Sequence, residues 1–332
     1  MRAVLIASLF VVAVWPALAF GAPDTGPKCD LSPSEGVVAA CTQLIDGGSL
    51  SGAALAQAYE LRGTALVSKG QSDVALADFT QAIALDRTQV WAYIGRGMLR
   101  RQSGQYADAV TDLTAAIALN SAIPLAHLER GWAYRKMGRL DDALTDLDEA
   151  IRLKPDDASA YDVRGVVWAL KGDRRRALDD LTKALSFGED AGTLVNRGGV
   201  YGDLGQPEKA MADFDRAIAL KPDLAMAYED RGLERARQGQ IDAAIPDFDK
   251  AIALDPTLGD AFMNRGVAMA QRGRLAKAVD DFTRAIELQP GNARLYVMRG
   301  EAERGLGRPA ASTADLKKAQ EIDPAVLGRG AR

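Results

Sequence analysis

The side chains able to do covalent or metal chemistry are few. The chain of 332 residues has one histidine, His127, and two cysteines, Cys29 and Cys41. Nucleophilic catalysis needs a base held beside a hydroxyl or thiol, and a metal centre needs a cluster of ligands. These three residues supply neither. Phosphate-cradling loops and nucleophile-elbow glycine patterns are also missing. His127 stands where matching stretches carry Tyr59, Tyr93, Tyr161, Tyr228 and Phe262, so it reads as a packing substitute. The pairs Asp141-Asp142, Asp179-Asp180 and Asp280-Asp281 recur at matching places and read as solvated helix faces. The expectation is a chain with no enzymatic activity, no cofactor and no metal.

The charged residues that do recur are arginines and aspartates. An Arg-Gly pair appears at Arg62, Arg96, Arg130, Arg164, Arg197, Arg231, Arg265 and Arg299. The step is 34 residues throughout, except for 33 between Arg164 and Arg197. An aspartate follows in register each time: Asp78, Asp112, Asp146, Asp180, Asp213, Asp247, Asp281 and Asp315. An arginine array for acidic ligands is one reading. A ladder of structural ion pairs is favoured, because every arginine has an aspartate in step with it.

A period of this length marks a helical repeat. With units starting at Ala56, Val90, Pro124, Ala158, Ala191, Ala225, Gly259 and Ala293, the eighth and fifteenth residues are always glycine. The fifteenth follows an amphipathic stretch and predicts a left-handed helix end. A second helix follows, with apolar spacings of three and four such as Ala75, Phe79, Ala82 and Ile83. Proline closes five units, at Pro155, Pro222, Pro256, Pro290 and Pro324. Small residues at the eighth, twentieth and twenty-seventh positions let paired helices approach closely. This pattern resembles the tetratricopeptide repeat over residues 56–326. The resemblance implies an all-α, right-handed superhelical solenoid of eight helix-turn-helix units with a concave groove, and a role in protein interaction.

The ends differ from the repeats. Residues 1–19 read as a signal peptide: a basic start, an apolar run, Pro16 and a small-residue site at Ala17-Leu18-Ala19. The apolar run is shorter than the roughly 20 residues a membrane helix needs, so cleavage without membrane insertion is expected, the alternative being an uncleaved anchor. Cleavage takes the formal net charge from −4 to −5 by removing Arg2, a balance without a nucleic-acid footprint. The expected location is periplasmic or secreted, as a soluble protein. In such a compartment Cys29 and Cys41 read as a disulfide. Residues 20–55 form an N-terminal segment in which Ala40–Ile45 aligns with Asp78–Ile83, half a repeat acting as a cap. The last unit, with Ser312, Thr313 and Gln320, is a more polar C-terminal cap, and residues 327–332 are a tail.

The family geometry sends the second, fifth, sixth, ninth and twelfth residues of each unit toward the groove. In the second and third units these include Trp91, Ile94, Met98, Leu125, Leu128 and Trp132, flanked by Arg101, Arg135 and Lys136. Aromatic anchors bordered by arginine have the composition of a protein-binding hot spot; packing between units is the equal alternative for Met98 and Leu128. Trp168 and Tyr134 read as core. Further along, Asp162, Asn196, Glu229, Asp230, Asp260 and Asn264 make the groove polar and acidic. Only Asn196 and Asn264 partly match the family's carboxylate clamp, whose lysines are missing. The expected ligand is a protein segment, apolar at one end and basic at the other. In the fifth unit Gly192, Gly199 and Gly202 leave either bare groove floor or a flexible joint. The overall expectation is an envelope scaffold binding a partner segment. The alternative is a structural part of a secretion or polysaccharide-export assembly, engaged through the ends or the convex face.

Overall fold

The computed structural model describes Cys29 and residues 36–328. The signal segment and the last four residues of the tail lie outside the described residues. Among those described there are seventeen α-helices and no strand. The helices fall into two units with a boundary between Phe187 and Gly188. This is where the shortened repeat replaces the usual leucine and proline junction.

The first unit holds α1 (Val37–Asp46), α2 (Gly52–Ser68), α3 (Ser72–Leu85), α4 (Val90–Gln102), α5 (Tyr106–Leu119), α6 (Pro124–Lys136), α7 (Leu140–Leu153), α8 (Ala158–Leu170) and α9 (Arg174–Phe187). The second holds α10 (Ala191–Asp203), α11 (Pro207–Leu220), α12 (Ala225–Arg237), α13 (Ile241–Leu254), α14 (Gly259–Gln271), α15 (Leu275–Leu288), α16 (Ala293–Gly305) and α17 (Pro309–Ile322), followed by a 3₁₀ turn at Val326–Gly328. Seven of the eight first helices begin at the first residue of their unit as numbered above. The exception, α2, starts four residues ahead of Ala56, at Gly52.

Two glycine positions set this geometry. The fifteenth residue of every unit is left-handed, with φ between 67° at Gly205 and 84° at Gly172. There the N–H of Gly104 bonds the carbonyl of Arg101, and that of Gln105 bonds Arg100, which closes α4. The eighth residue lies where the second helix presses its large side chain against the first. A Cβ on Gly198 would sit 2.6 Å from the Phe214 ring, and one on Gly131 would sit 2.9 Å from Leu147 Cγ. Alanines at the twentieth and twenty-seventh positions complete the contact, and Ala75, Ala82, Ala244 and Ala251 are wholly buried. The core of each unit is a row of side chains from the second helices: Phe79, Leu113, Leu147 and Leu181 in the first, Phe214, Phe248 and Phe282 in the second.

All eight arginines meet their aspartates in a two-pronged ion pair. In the first unit the Nη2–Oδ1 distances are 2.7 Å for Arg62–Asp78, Arg96–Asp112 and Arg130–Asp146, and 2.8 Å for Arg164–Asp180. In the second they are 2.8 Å for Arg197–Asp213, 2.6 Å for Arg231–Asp247 and Arg265–Asp281, and 2.7 Å for Arg299–Asp315. Nε closes the second prong onto Oδ2 each time. Planar fork-to-fork pairing of this kind is available to arginine and not to lysine.

The remaining nitrogen, Nη1, reaches back to the preceding repeat. It bonds Thr80 from Arg96, Thr114 from Arg130 and Asp148 from Arg164. In the second unit it bonds Asp215 from Arg231, Asp249 from Arg265 and Thr283 from Arg299. Arg62 does the same to Thr42 Oγ1 on α1, at 3.2 Å. The α1 helix therefore shares the kind of joint that links the repeats. Cys41, wholly buried on α1, is bonded to Cys29 with their Cα atoms 4.9 Å apart.

His127 has a larger role than a packing substitute. Its Nδ1 lies 3.3 Å from Asp146 Oδ1, and its Nε2 lies 3.0 Å from the Ser121 carbonyl. Elsewhere the fourth-position ring lies beside the ladder guanidinium, as Tyr93 does at 5.8 Å from Arg96. Where that ring is replaced by His127 or Leu194, a tyrosine at the eleventh position takes over: Tyr134 beside Arg130, Tyr201 beside Arg197. Tyr134 and Trp168 are accordingly half-buried at the edge of the core, not inside it.

Candidate partner-binding face

Within the first unit the first helices of successive repeats touch one another, α2 with α4, α4 with α6 and α6 with α8, while the second helices do not. The first helices therefore line the narrower, inner side of this unit. The same relation runs through α10, α12, α14 and α16 in the second unit.

On the inner side of the first unit, Trp91, Met98, Leu125 and Trp132 are half-buried and present apolar surface. Ile94 offers none: it is wholly buried among Ala116 and Ala126. Leu128 is also buried, against Leu144 and Leu147. The fifth position thus faces the seam between repeats in these two units, because each first helix packs on its neighbour there. Trp91 and Met98 lean on the same small cluster as Ile94, so the exposed apolar surface is continuous with the core.

Trp132 is the centre of the charged part. Three cations surround its ring: Arg101 at 4.3 Å from the centroid, Arg135 at 4.8 Å and the Lys136 ammonium at 5.0 Å. The Tyr106 ring adds a tilted contact at 6.2 Å. Arg101 and Arg135 are buried, and Arg101 forms an ion pair with buried Glu129. Burial pushes Arg135 down to about 10, opposed by the attraction of Asp162 and reinforced by repulsion from Arg101. Lys136 is also lowered, by burial first and then by repulsion from Arg135 and Arg101. The repeat spacing placed the two arginines and the tryptophan on this side. It gave no sign that they converge on one ring, nor that Tyr106 and Glu129 join them.

Asp162 on α8 is buried as well. A further buried acid carries no distinguishing mark in the sequence. Glu60 occupies the fifth position of the first repeat, and burial raises its carboxyl to about 7.

On the inner side of the second unit, Asn196 and Glu229 are buried, and Asp230 and Asn264 are half-buried. Asn264 Nδ2 donates to Glu229 Oε1 at 3.2 Å, and Gln289 Nε2 donates to Asp260 at 3.0 Å. Glu229 is thus engaged in the joint between the sixth and seventh repeats, and Asp260 in a contact within the seventh. The three glycines of α10 have different surroundings. Gly199 faces open space, with nothing within 4 Å of an added Cβ. Gly202 is crowded: a Cβ there would lie 2.8 Å from Glu234 Oε2. Gly192 abuts Asp190, whose carboxylate caps α10 by accepting from the Thr193 amide.

Tetratricopeptide-repeat models match residues 56–89 and, in overlapping pairs of repeats, 94–158, 128–193, 195–258, 229–293 and 264–326. The chain belongs to the tetratricopeptide-repeat family. Solved structures agree at the level of fold, the first of them a tetratricopeptide repeat protein. One from Parabacteroides merdae is 17% identical over 74% of this chain and 98% of its own, with a TM-score of 0.62. A chain of the APC/C hetero-tetramer Cut9–Hcn1 is 15% identical over 90% of this chain and 64% of its own, with a TM-score of 0.66. Pseudomonas aeruginosa pilF is 19% identical over 63% of this chain and 95% of its own, with a TM-score of 0.55. No curated protein matches the sequence. Tetratricopeptide repeats bind protein partners, and the family is in general one of non-catalytic scaffolds. Among the described residues no helix is long and apolar enough to cross a membrane, and no group of three His, Cys, Asp or Glu is placed to hold a metal.

Proposed function

We propose that this tetratricopeptide protein is an exported, non-catalytic scaffold that docks a segment of a partner protein on the inner side of its first unit, around Trp132. The observation that carries the reading is the juxtaposition there of half-buried apolar side chains with a cation-ringed tryptophan. Contiguous apolar surface of this kind marks partner sites, and tryptophan with arginine at its border is the usual anchor. Export is supported by the character of residues 1–19 and by the Cys29–Cys41 bond, of a kind favoured in oxidising compartments. The acidic residues of the second unit's inner side are proposed as a second contact, for basic groups. Gly199, facing open space, supports a bare stretch beside them.

The alternative is a structural component of an envelope assembly, engaged away from the inner side. It draws on the exposed Leu85, Leu119, Phe187 and Leu220, which repeat at the ends of second helices. A crosslinking pull-down from the native envelope fraction decides between them, comparing the chain with a folded Trp132→Asp variant. A partner lost with the variant supports docking at Trp132. The same partner captured equally by both moves the contact elsewhere and favours the assembly role.

A further inference from the structure

The arginines of this chain fall into two groups. The eight ladder arginines are each offset by their own aspartate. Arg101, Arg135 and Lys136 are gathered on one indole instead, with Glu129 paired to Arg101 and Asp162 attracting Arg135. That is three cations against two carboxylates, at a place where two of the cations are buried. We propose that the surround of Trp132 is a subsite for a carboxylate side chain of the partner segment, an Asp or Glu flanked by apolar residues. This rests on the docking reading above and names the chemistry that the segment must carry.

The physical case is charge complementarity. Holding like charges together in a partly dry site costs free energy, which an incoming anion relieves. Burial first, and then the neighbouring cations, hold Lys136 below its ordinary value, and the three cations lie within 5.0 Å of the Trp132 ring centroid. An anion bound there meets guanidinium and ammonium donors in an environment where charge-assisted hydrogen bonds are strong. Leu125, packed on the same cluster as Trp132, and Trp91, packed on the next cluster with Leu125, favour apolar groups beside the acid. A polyanion such as nucleic acid is disfavoured by the net charge of −4.

The test is fluorescence anisotropy on the full chain. The probe is a short labelled peptide in which glutamates alternate with leucines, set against the same peptide with glutamines. The glutamate peptide is expected to bind at least about tenfold more tightly, a difference of about 1.4 kcal/mol, and the preference should shrink as salt is raised. Lys136→Glu abolishes the preference and Lys136→Gln reduces it, while the same reversal at exposed Lys317 on α17 leaves it intact. Melting curves confirm that each variant is folded. Equal affinity for the two peptides overturns the inference, as does equal loss in the Lys136 and Lys317 variants, or binding of neither peptide. If both peptides bind equally and both are lost with Trp132→Asp, docking at Trp132 stands and only the acid preference fails.

Discussion

Asp112 Oδ2 takes two guanidinium groups from one helix: Arg96 Nε at 2.9 Å and, one turn further along α4, Arg100 Nη1 at 2.8 Å. Asp247 is held in the same way by Arg231 and Arg235. These aspartates are nearly inaccessible, so the ladder is a buried network and not a row of surface pairs. Removing one partner strands a charge. Asp112→Ala is expected to destabilise the chain by about 3–5 kcal/mol, whereas replacing Arg96, Arg100 and Asp112 together by apolar residues of similar volume costs much less. Urea unfolding of the two variants measures the difference, and similar losses in both would contradict it.

Glu60 makes a prediction about pH. Its folded value of about 7 lies above the 4.5 of the free side chain, because burial disfavours the carboxylate. The folded state then holds a proton that the unfolded chain has released. The associated stability is fully present below pH 4.5 and is lost as pH rises through 7. Glu60→Gln should therefore raise stability at pH 8 by about 2–3 kcal/mol and leave it little changed at pH 4. Thermal melts across that range check the sign.

Two glycines of α10 should respond in opposite ways. Gly199→Ala meets nothing and removes a flexible interior residue, so it should stabilise the helix by about 0.5–1 kcal/mol. Gly202→Ala must displace the carboxylate of buried Glu234, which should cancel that gain or reverse it. Calorimetry on the two single variants separates them. If Gly199→Ala also leaves partner affinity unchanged, the bare stretch has no binding role.

Reduction of Cys29–Cys41 should act locally. The bond ties one end of the chain to α1, which packs on α2. Closing a loop with a sequence separation of 12 contributes about 3 kcal/mol. Hydrogen exchange should quicken in α1 and around Thr42 on reduction, with α16 and α17 unaffected. Uniform quickening would mean that the cap supports far more than its neighbouring repeat.

The sequence by itself determined the elements and their register. The starts of seven first helices, the left-handed fifteenth glycines, the close-packed eighth glycines and the pairing of each Arg with its Asp follow from residues repeated at one period. These are short-range constraints: a helix end or a helix pair is specified within about one repeat, and eight copies make the pattern unmistakable. Thr42 on α1 stands where Thr80 stands, and each accepts from a ladder arginine.

Only the tertiary structure decided which inner residues are open and which are spent on the fold. Ile94 and Trp91 lie three residues apart on α4, yet one is wholly buried and the other half-exposed. Arg101 and Arg135 converge on Trp132 from two helices, and His127 finds Asp146 and Ser121. Such outcomes depend on rotamers and on distances between side chains about one repeat apart in sequence. Periodicity assigns a residue to a side of its helix. How closely the next helix approaches that side, and which neighbours then share its space, is set by packing.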